Sequence, residues 1–254
     1  METELGPVRQ GLQTFVGRML PPAVSVPLRA RFGGSREPEL AALSGLIHTG
    51  DTVIDVGAHR GVYAYHLARL VGPSGRVIAY EPQPAMVRYL AAASRYGVMR
   101  RVELRARGLS DKRGSAVLSI PVEDGKQILG QATLRPVGTG AEEHTVPIAV
   151  LDEEPMPGPV AFIKIDVEGH ELSLLRGGRT LLAKDRPILQ VEVEARHAGD
   201  AVADLATLLL DELGYRASEL VHGQLVPVDR ARWNADSLNR RPDGAYTNNF
   251  LFRP

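Results

Sequence analysis

The run Asp55-Val56-Gly57-Ala58-His59-Arg60-Gly61 sets a carboxylate just ahead of a glycine turn. Gly57, Ala58 and Gly61 let the backbone turn tightly and leave room for a ligand to approach. The spacing departs from the dinucleotide pattern G-x-G-x-x-G, because His59 stands where its middle glycine would be. Asp55 would repel a pyrophosphate and attract an ammonium group. Glu81, followed by Pro82, closes the next apolar run. It falls near the ~20-residue offset at which an acid accepts ribose hydroxyls in nucleotide-binding βαβ units. Gly108-Leu109-Ser110-Asp111 could edge a base, although Ser-Asp before Lys112-Arg113-Gly114 is equally good turn chemistry. The densest cluster follows the apolar run that begins at Phe162: Lys164, Asp166, Glu168, His170 and Glu171. Strand alternation puts Lys164 and Asp166 on one side of a sheet. Glu171 is explained by the favourable dipole at a helix N-terminus; a lysine inside an apolar strand is not.

A ligand with an ammonium group, a sulfonium charge and no phosphate satisfies the glycine turn, and S-adenosylmethionine is one. The elements that must position these residues alternate along the chain. Strands are predicted over 52–56, 76–80, 102–106, 160–165, 187–193, 216–221 and 247–252, and helices over 61–71, 84–96, 171–183 and 200–213. That alternation argues for a mostly parallel sheet with helices on both faces. Ligands bind such sheets beyond the strand carboxyl ends, where the strand order reverses. In the order 3-2-1-4-5, Asp55 and Asp166 end neighbouring strands. Residues 8–20 have helical spacing that Pro21-Pro22 interrupts, and a further helix is expected over 38–48. Residues 1–37 read as an N-terminal helical extension and 38–254 as the main domain, with an inserted region at 112–159. Two strand-like pieces, 116–120 and 145–151, flank a Gly-rich polar stretch, 123–143, expected to act as a mobile lid or substrate loop.

Composition narrows the partners. A net charge of zero, from 30 basic and 30 acidic residues, gives no chain-wide nucleic-acid footprint. Arg95, Arg100, Arg101, Arg105 and Arg107 form a local basic cluster, read as a solvated face. The absence of cysteine excludes disulfides, thiolate zinc sites and thiol catalysis. No signal-peptide pattern opens the chain and no apolar run approaches the ~20 residues of a membrane span. The expectation is a cytoplasmic protein acting on a small molecule, with neither membrane nor nucleic acid as partner. Self-association into a homo-oligomer stays open.

The chain resembles the FkbM-type methyltransferases. The matching pieces are D-T-V-I-D-V-G-A-H-R-G (51–61), G-R-V-I-A-Y-E-P (75–82), G-L-S-D-K-R-G (108–114), F-I-K-I-D-V-E-G-H-E (162–171), L-L-R-G-G (174–178) and R-P-I-L-Q-V-E (186–192). Asn249-Phe250-Leu251-Phe252 is similar to the family's closing strand. The resemblance runs from about residue 38 onward. It implies a Rossmann-like class I methyltransferase fold with a mostly parallel seven-stranded sheet. It also implies S-adenosylmethionine as donor and an oxygen acceptor on a sugar, polyketide or other natural product. His59 and His170 occupy positions that vary in the family and take no role from it.

A hydroxyl must lose its proton as it attacks the sulfonium methyl. A nearby base contributes ~10²–10⁴-fold. Asp166 is the first candidate and His170 the second, with Lys164 beside Asp166. The cofactor set is Asp55, Gly57, Ala58, Gly61, Glu81, Leu109, Ser110 and Asp111. A divalent metal on Asp166 with Glu192 or Glu194 is the less favoured version. The rival readings are an S-adenosylmethionine-binding module without turnover, and an RNA methyltransferase. Nicotinamide oxidoreduction is disfavoured by the broken glycine pattern and by Asp55.

Overall fold

A computed structural model describes residues 20–32, 39–123, 125–134, 140–199 and 201–254. Nearly all of the expected helix over 8–20 lies outside these residues. The first described helix, α1 (Pro22–Phe32), begins where the sequence suggests a break. Pro22 is tolerated as the first helical residue, where its missing N–H has no partner to lose. Val26 and Ala30 are buried on the domain, so tertiary contact holds the helix despite Pro27. The helix expected over 38–48 is the short α2 (Glu39–Leu43).

The main sheet opens with β1 (Thr52–Val56), α3 (Val62–Leu70), β2 (Arg76–Tyr80), α4 (Pro84–Ala93) and β3 (Val102–Arg105). After an inserted region it resumes with β8 (Val160–Ile165) and the helices α5 (Glu171–Gly177) and α6 (Arg179–Asp185). It closes with β9 (Ile188–Glu192), α7 (Ala195–Ala198), α8 (Ala201–Ala206), β10 (Arg216–Val221), β11 (Gln224–Pro227) and β12 (Asn249–Arg253). A π-helical stretch, Thr207–Glu212, extends α8. The order across the sheet is β11-β10-β12-β9-β8-β1-β2-β3. The five strands from β9 to β3 are parallel, whereas β12 runs antiparallel to both β9 and β10. The order reverses at β1 and β8. The class expected from the sequence therefore holds, but the sheet has eight strands rather than seven. The eighth is β11, which turns back on β10 through His222 (φ 48°) and Gly223 (φ 81°).

Helices cover both faces, so the central strands lose the polar alternation of a one-sided sheet. Every residue of β1 is buried, Asp55 included. The core divides accordingly: Ile54, Val56, Ile163 and Ile165 pack toward α5 and α6, whereas Val53, Ala79 and Phe162 pack toward α3 and α4.

The inserted region forms a second sheet. It holds β4 (Gly108–Ser110), β5 (Gly114–Glu123), β6 (Lys126–Gln127) and β7 (Ala141–Val150), in the order β4-β7-β5-β6. The strands β5 and β7 pair antiparallel from Gly114↔Ile148 to Pro121↔Ala141, well beyond the two short pieces expected. The basic cluster also differs from expectation at one residue. Arg105 is buried, because its guanidinium donates to Tyr80 Oη (2.7 Å), Glu154 Oε2 (3.0 Å) and the Pro155 carbonyl (2.7 Å). It ties the 153–159 connector to the sheet edge rather than facing solvent.

Candidate active site

The glycine turn after β1 is fixed by contact, not by composition alone. Gly57 has φ 79°, and its amide and that of Ala58 both donate to the Tyr80 carbonyl, at 3.0 and 3.2 Å. A Cβ on Gly57 would lie 1.8 Å from the Asp166 carbonyl oxygen, so only glycine lets the end of β8 come this close. Asp166 N in turn donates to the Val56 carbonyl at 3.1 Å, which locks the two strand ends together. Gly61 (φ 75°) opens α3, and a Cβ there would meet Leu90 Cδ2 at 2.6 Å.

Beyond these strand ends lies a cleft of about 670 Å³, partly open to solvent. Gly57, His59, Glu81, Leu109, Asp166 and Glu168 are among its lining residues. Glu81 is buried at its floor, with Oε2 accepting from His59 N (2.7 Å) and Oε1 from Gln83 N (2.8 Å). Burial pushes its pKa up to about 7, against the pull of those two backbone donors. Leu118, Leu129 and Leu134 from the inserted region form an apolar wall.

On the β8 side, Lys164 Nζ donates to Asp166 Oδ2 at 2.7 Å and lies 4.8 Å from the centre of the Tyr63 ring. Lys164 is 4% exposed. The charges of Asp166, Asp55 and Glu192 overcome its burial and push its pKa up to about 12. Asp55 is paired in register with Lys164 and is wholly buried. It is not among the residues that line the cleft, and neither are Ala58 and Gly61. Ser110 bonds His170 Nε2 at 3.0 Å, and Asp111 accepts from Ser110 Oγ at 3.2 Å. These three side chains sit where β4 meets α5. A Cβ on Gly177 would lie 2.1 Å from the Ser110 carbonyl, so the Gly-Gly of L-L-R-G-G is a packing device.

The acids considered for a metal are engaged otherwise. Asn248 Nδ2 donates to Glu192 Oε1 (2.8 Å) and Glu194 Oε1 (2.9 Å), and Tyr246 Oη donates to Glu194. Burial and the Asp166 charge push the Glu192 pKa up to about 8. Among the described residues no group of three or more His, Cys, Asp or Glu is placed to hold a metal.

Two cleft residues named in the sequence received no role there. His59 adopts φ 46° and Glu168 φ 48°, conformations that side-chain-bearing residues rarely hold. Burial, helped by the Arg60 charge, pushes the His59 pKa down to about 4, and its buried Nε2 has no partner. Glu168 pairs with His197 Nδ1 at 3.0 Å, while burial and Asp166 push its pKa up to about 7. A glutamate carries no signal for a positive φ, whereas a histidine in a broken glycine pattern was an available hint at position 59.

A cleft at the strand-order reversal, walled by the glycine turn and a strand-end acid, defines a class I S-adenosylmethionine-dependent methyltransferase fold. A family model described as the methyltransferase FkbM domain matches residues 55–217, and the chain belongs to this family. It is similar to the crystal structure of methyltransferase FkbM from Methylobacillus flagellatus KT, at 18% identity and a TM-score of 0.52. That alignment covers 96% of this chain and 58% of the other, so this chain spans little more than half of its relative. It is also similar to cofactor-bound Rv0187 from MTB, at 17% identity and a TM-score of 0.50, covering 100% of this chain and 98% of that one. No curated protein matches the chain. No described helix is long and apolar enough to cross a membrane.

The wall between Leu129 and Leu134 belongs to the stretch expected to move. Hydrogen exchange there should slow when S-adenosylhomocysteine is added. Equal exchange with and without a verified ligand would remove this stretch from the ligand's surroundings.

Proposed function

We propose that the protein transfers a methyl group from S-adenosylmethionine to a hydroxyl oxygen of a small metabolite. The observation that carries this reading is Asp166, a cleft carboxylate anchored through Oδ2 to a buried lysine and set against the glycine turn. The residues present fit the donor. The Gly57 turn gives it backbone access, Glu81 offers a carboxylate for the ribose hydroxyls, and Leu109, Leu118 and Leu129 suit an adenine face. When bound, the donor supplies a methyl group made electrophilic by the sulfonium.

Lys164 holds one Asp166 oxygen, which leaves Oδ1 to take the proton of an acceptor hydroxyl. Asp55 balances the buried Lys164 charge and acts through it rather than on the ligand. Neutral His59 and the apolar wall exclude water from the reacting oxygen, and holding that oxygen in line contributes further acceleration. His170 is committed to Ser110, which favours Asp166 as the base. Arg105 and Arg107 are both engaged with Glu154, which removes support from the RNA reading.

Glu81→Ala should weaken S-adenosylhomocysteine binding by roughly 10- to 150-fold, the loss of charged hydrogen bonds at about 1.5–3 kcal/mol. An acid raised to about 7 is protonated below that pH. Wild-type affinity should therefore rise ~10-fold between pH 6 and 8 if only the ionised form binds. Titration calorimetry at both pH values, with Glu81→Gln as the pH-insensitive control, checks this. An unchanged dissociation constant in folded Glu81→Ala would take Glu81 out of the ribose site.

A methyl-transfer screen against hydroxylated metabolites, read by S-adenosylhomocysteine release, tests the reaction. Acceptor-dependent release with an O-methylated product is expected. Donor binding without release for any acceptor would favour a binding module.

A further inference from the structure

The stretch from Leu129 to Leu134 is tied to both halves of the cleft. At its start, Gln83 Nε2 donates to the Leu129 carbonyl at 3.2 Å. Near its end, Thr133 Oγ1 donates to the Glu168 carbonyl at 2.8 Å. Backbone bonds between Thr133 and Ser119, at 2.9 and 3.0 Å, fasten that end to β5 as well. At Gly130, between the anchors, a Cβ would find nothing within 4 Å. Gln83 follows β2 and Glu168 follows β8, and these two strands flank β1. The anchors therefore stand on either side of the Gly57 turn. Leu129, Gly130, Ala132 and Leu134 line the cleft between them.

Each anchor reaches a functional group. Gln83 is buried, and its backbone N–H donates to Oε1 of Glu81, the acid proposed for the ribose hydroxyls, at 2.8 Å. A carbonyl only accepts, so the side-chain group that meets Leu129 is the NH₂ and the amide oxygen is left over. That oxygen is buried without a hydrogen-bond partner. Gln83 also lines the cleft, where an N–H or O–H of a ligand would satisfy it. On the other side, Glu168 stands two residues beyond Asp166 and holds φ 48°, a conformation that persists only when the surroundings support it. Thr133 supports it through the carbonyl, and His197 Nδ1 through Oε2 at 3.0 Å. The turn that follows Asp166 is thus held in part by the inserted region.

We propose that Gln83 and Thr133 are positioning residues that act through the 129–134 strap: a donor seated against Gln83 steadies the strap, and Thr133 passes that order to the turn beyond Asp166. The inference rests on the donor reading above and deepens it. The strap then makes the acceptor side of the cleft respond to occupancy of the donor side.

Hydrogen exchange of the full chain, with and without saturating S-adenosylhomocysteine, tests this in the wild type, Thr133→Val, Thr133→Ser and Gln83→Met, each checked for folding by circular dichroism. In the wild type the ligand should slow exchange in both 129–134 and 167–170, by ~3- to 10-fold, the effect of about one hydrogen bond. Thr133→Val should still bind the ligand and still respond at 129–134, but 167–170 should no longer respond. Thr133→Ser, which keeps the hydroxyl, should restore that response; a merely space-filling role for Thr133 would not separate the two variants in this way. Gln83→Met, saturated with ligand, should respond in neither segment. A normal response at 167–170 in folded Thr133→Val overturns the proposal, as does a wild type that binds the ligand without any response there. Should Thr133→Val fail to fold, Gln83→Met decides, and a normal response at 167–170 in that variant overturns it equally. A wild type that does not bind S-adenosylhomocysteine defeats the donor reading instead.

Discussion

Gly57→Ala should destabilise the protein by about 2–5 kcal/mol and abolish measurable binding of S-adenosylhomocysteine. Two costs add. The added Cβ would lie 1.8 Å from the Asp166 carbonyl oxygen, which is backbone and cannot rotate away. Forcing such a group into a packed site costs ~1–3 kcal/mol. A side chain at φ 79° costs a further ~1–2 kcal/mol. Relief requires the end of β8 to separate from β1, which breaks the Asp166 N to Val56 carbonyl bond and displaces both Lys164 and Asp166. Gly97→Ala is the control: Gly97 also has a positive φ (55°), but nothing lies within 4 Å of its Cβ position. Urea denaturation should show a loss of only ~1 kcal/mol there. Equal losses for the two variants would show that the close approach is not what Gly57 provides.

Asp166→Asn should lower turnover by ~10²-fold or more while leaving donor affinity nearly unchanged, because the lost interaction belongs to the reacting oxygen. The substitution keeps an oxygen for Lys164 Nζ, and Asp55 and Glu192 still oppose that buried charge. The fold should therefore survive. A residue that only tied β8 to the following turn would behave differently: melting temperature would fall, with activity following in proportion. The measurement is S-adenosylhomocysteine formation under saturating donor, alongside thermal melting. A stable variant with near-normal turnover would end the catalytic claim for Asp166. A chelator added to the wild type should change nothing if Asp166 acts as base; activity lost and then restored by magnesium would return Asp166 to the role of ligand.

Much of this arrangement can be read from residue order. The strands β1, β2, β8 and β10 begin and end where their apolar runs do, because turn residues bound three of them and Pro159 precedes β8. Gly57, Glu81, Leu109 and Asp166 line one cleft because strand-end positions follow from the sheet order. What long-range contact decides was not legible. The helix expected over 171–183 breaks at Gly178, where the Gly177 backbone meets Ser110 and the space beside Gly178 is filled by Leu151. Helix α1 forms despite Pro27 because Val26 and Ala30 find a surface. Arg105 reads as solvent-facing until Tyr80 and Glu154, distant in the chain, close around it. Ser110 and His170 both look ligand-facing in sequence, yet they bond each other.

The central claim is that this cleft holds S-adenosylmethionine and not a dinucleotide. Titration calorimetry of the wild-type protein with S-adenosylmethionine and with NAD tests it most directly. Saturable one-site binding of S-adenosylmethionine, with no heat of binding from NAD, is the expected result. Saturable NAD binding with no response to S-adenosylmethionine would contradict the assignment of Gly57 and Glu81 to a methyl donor.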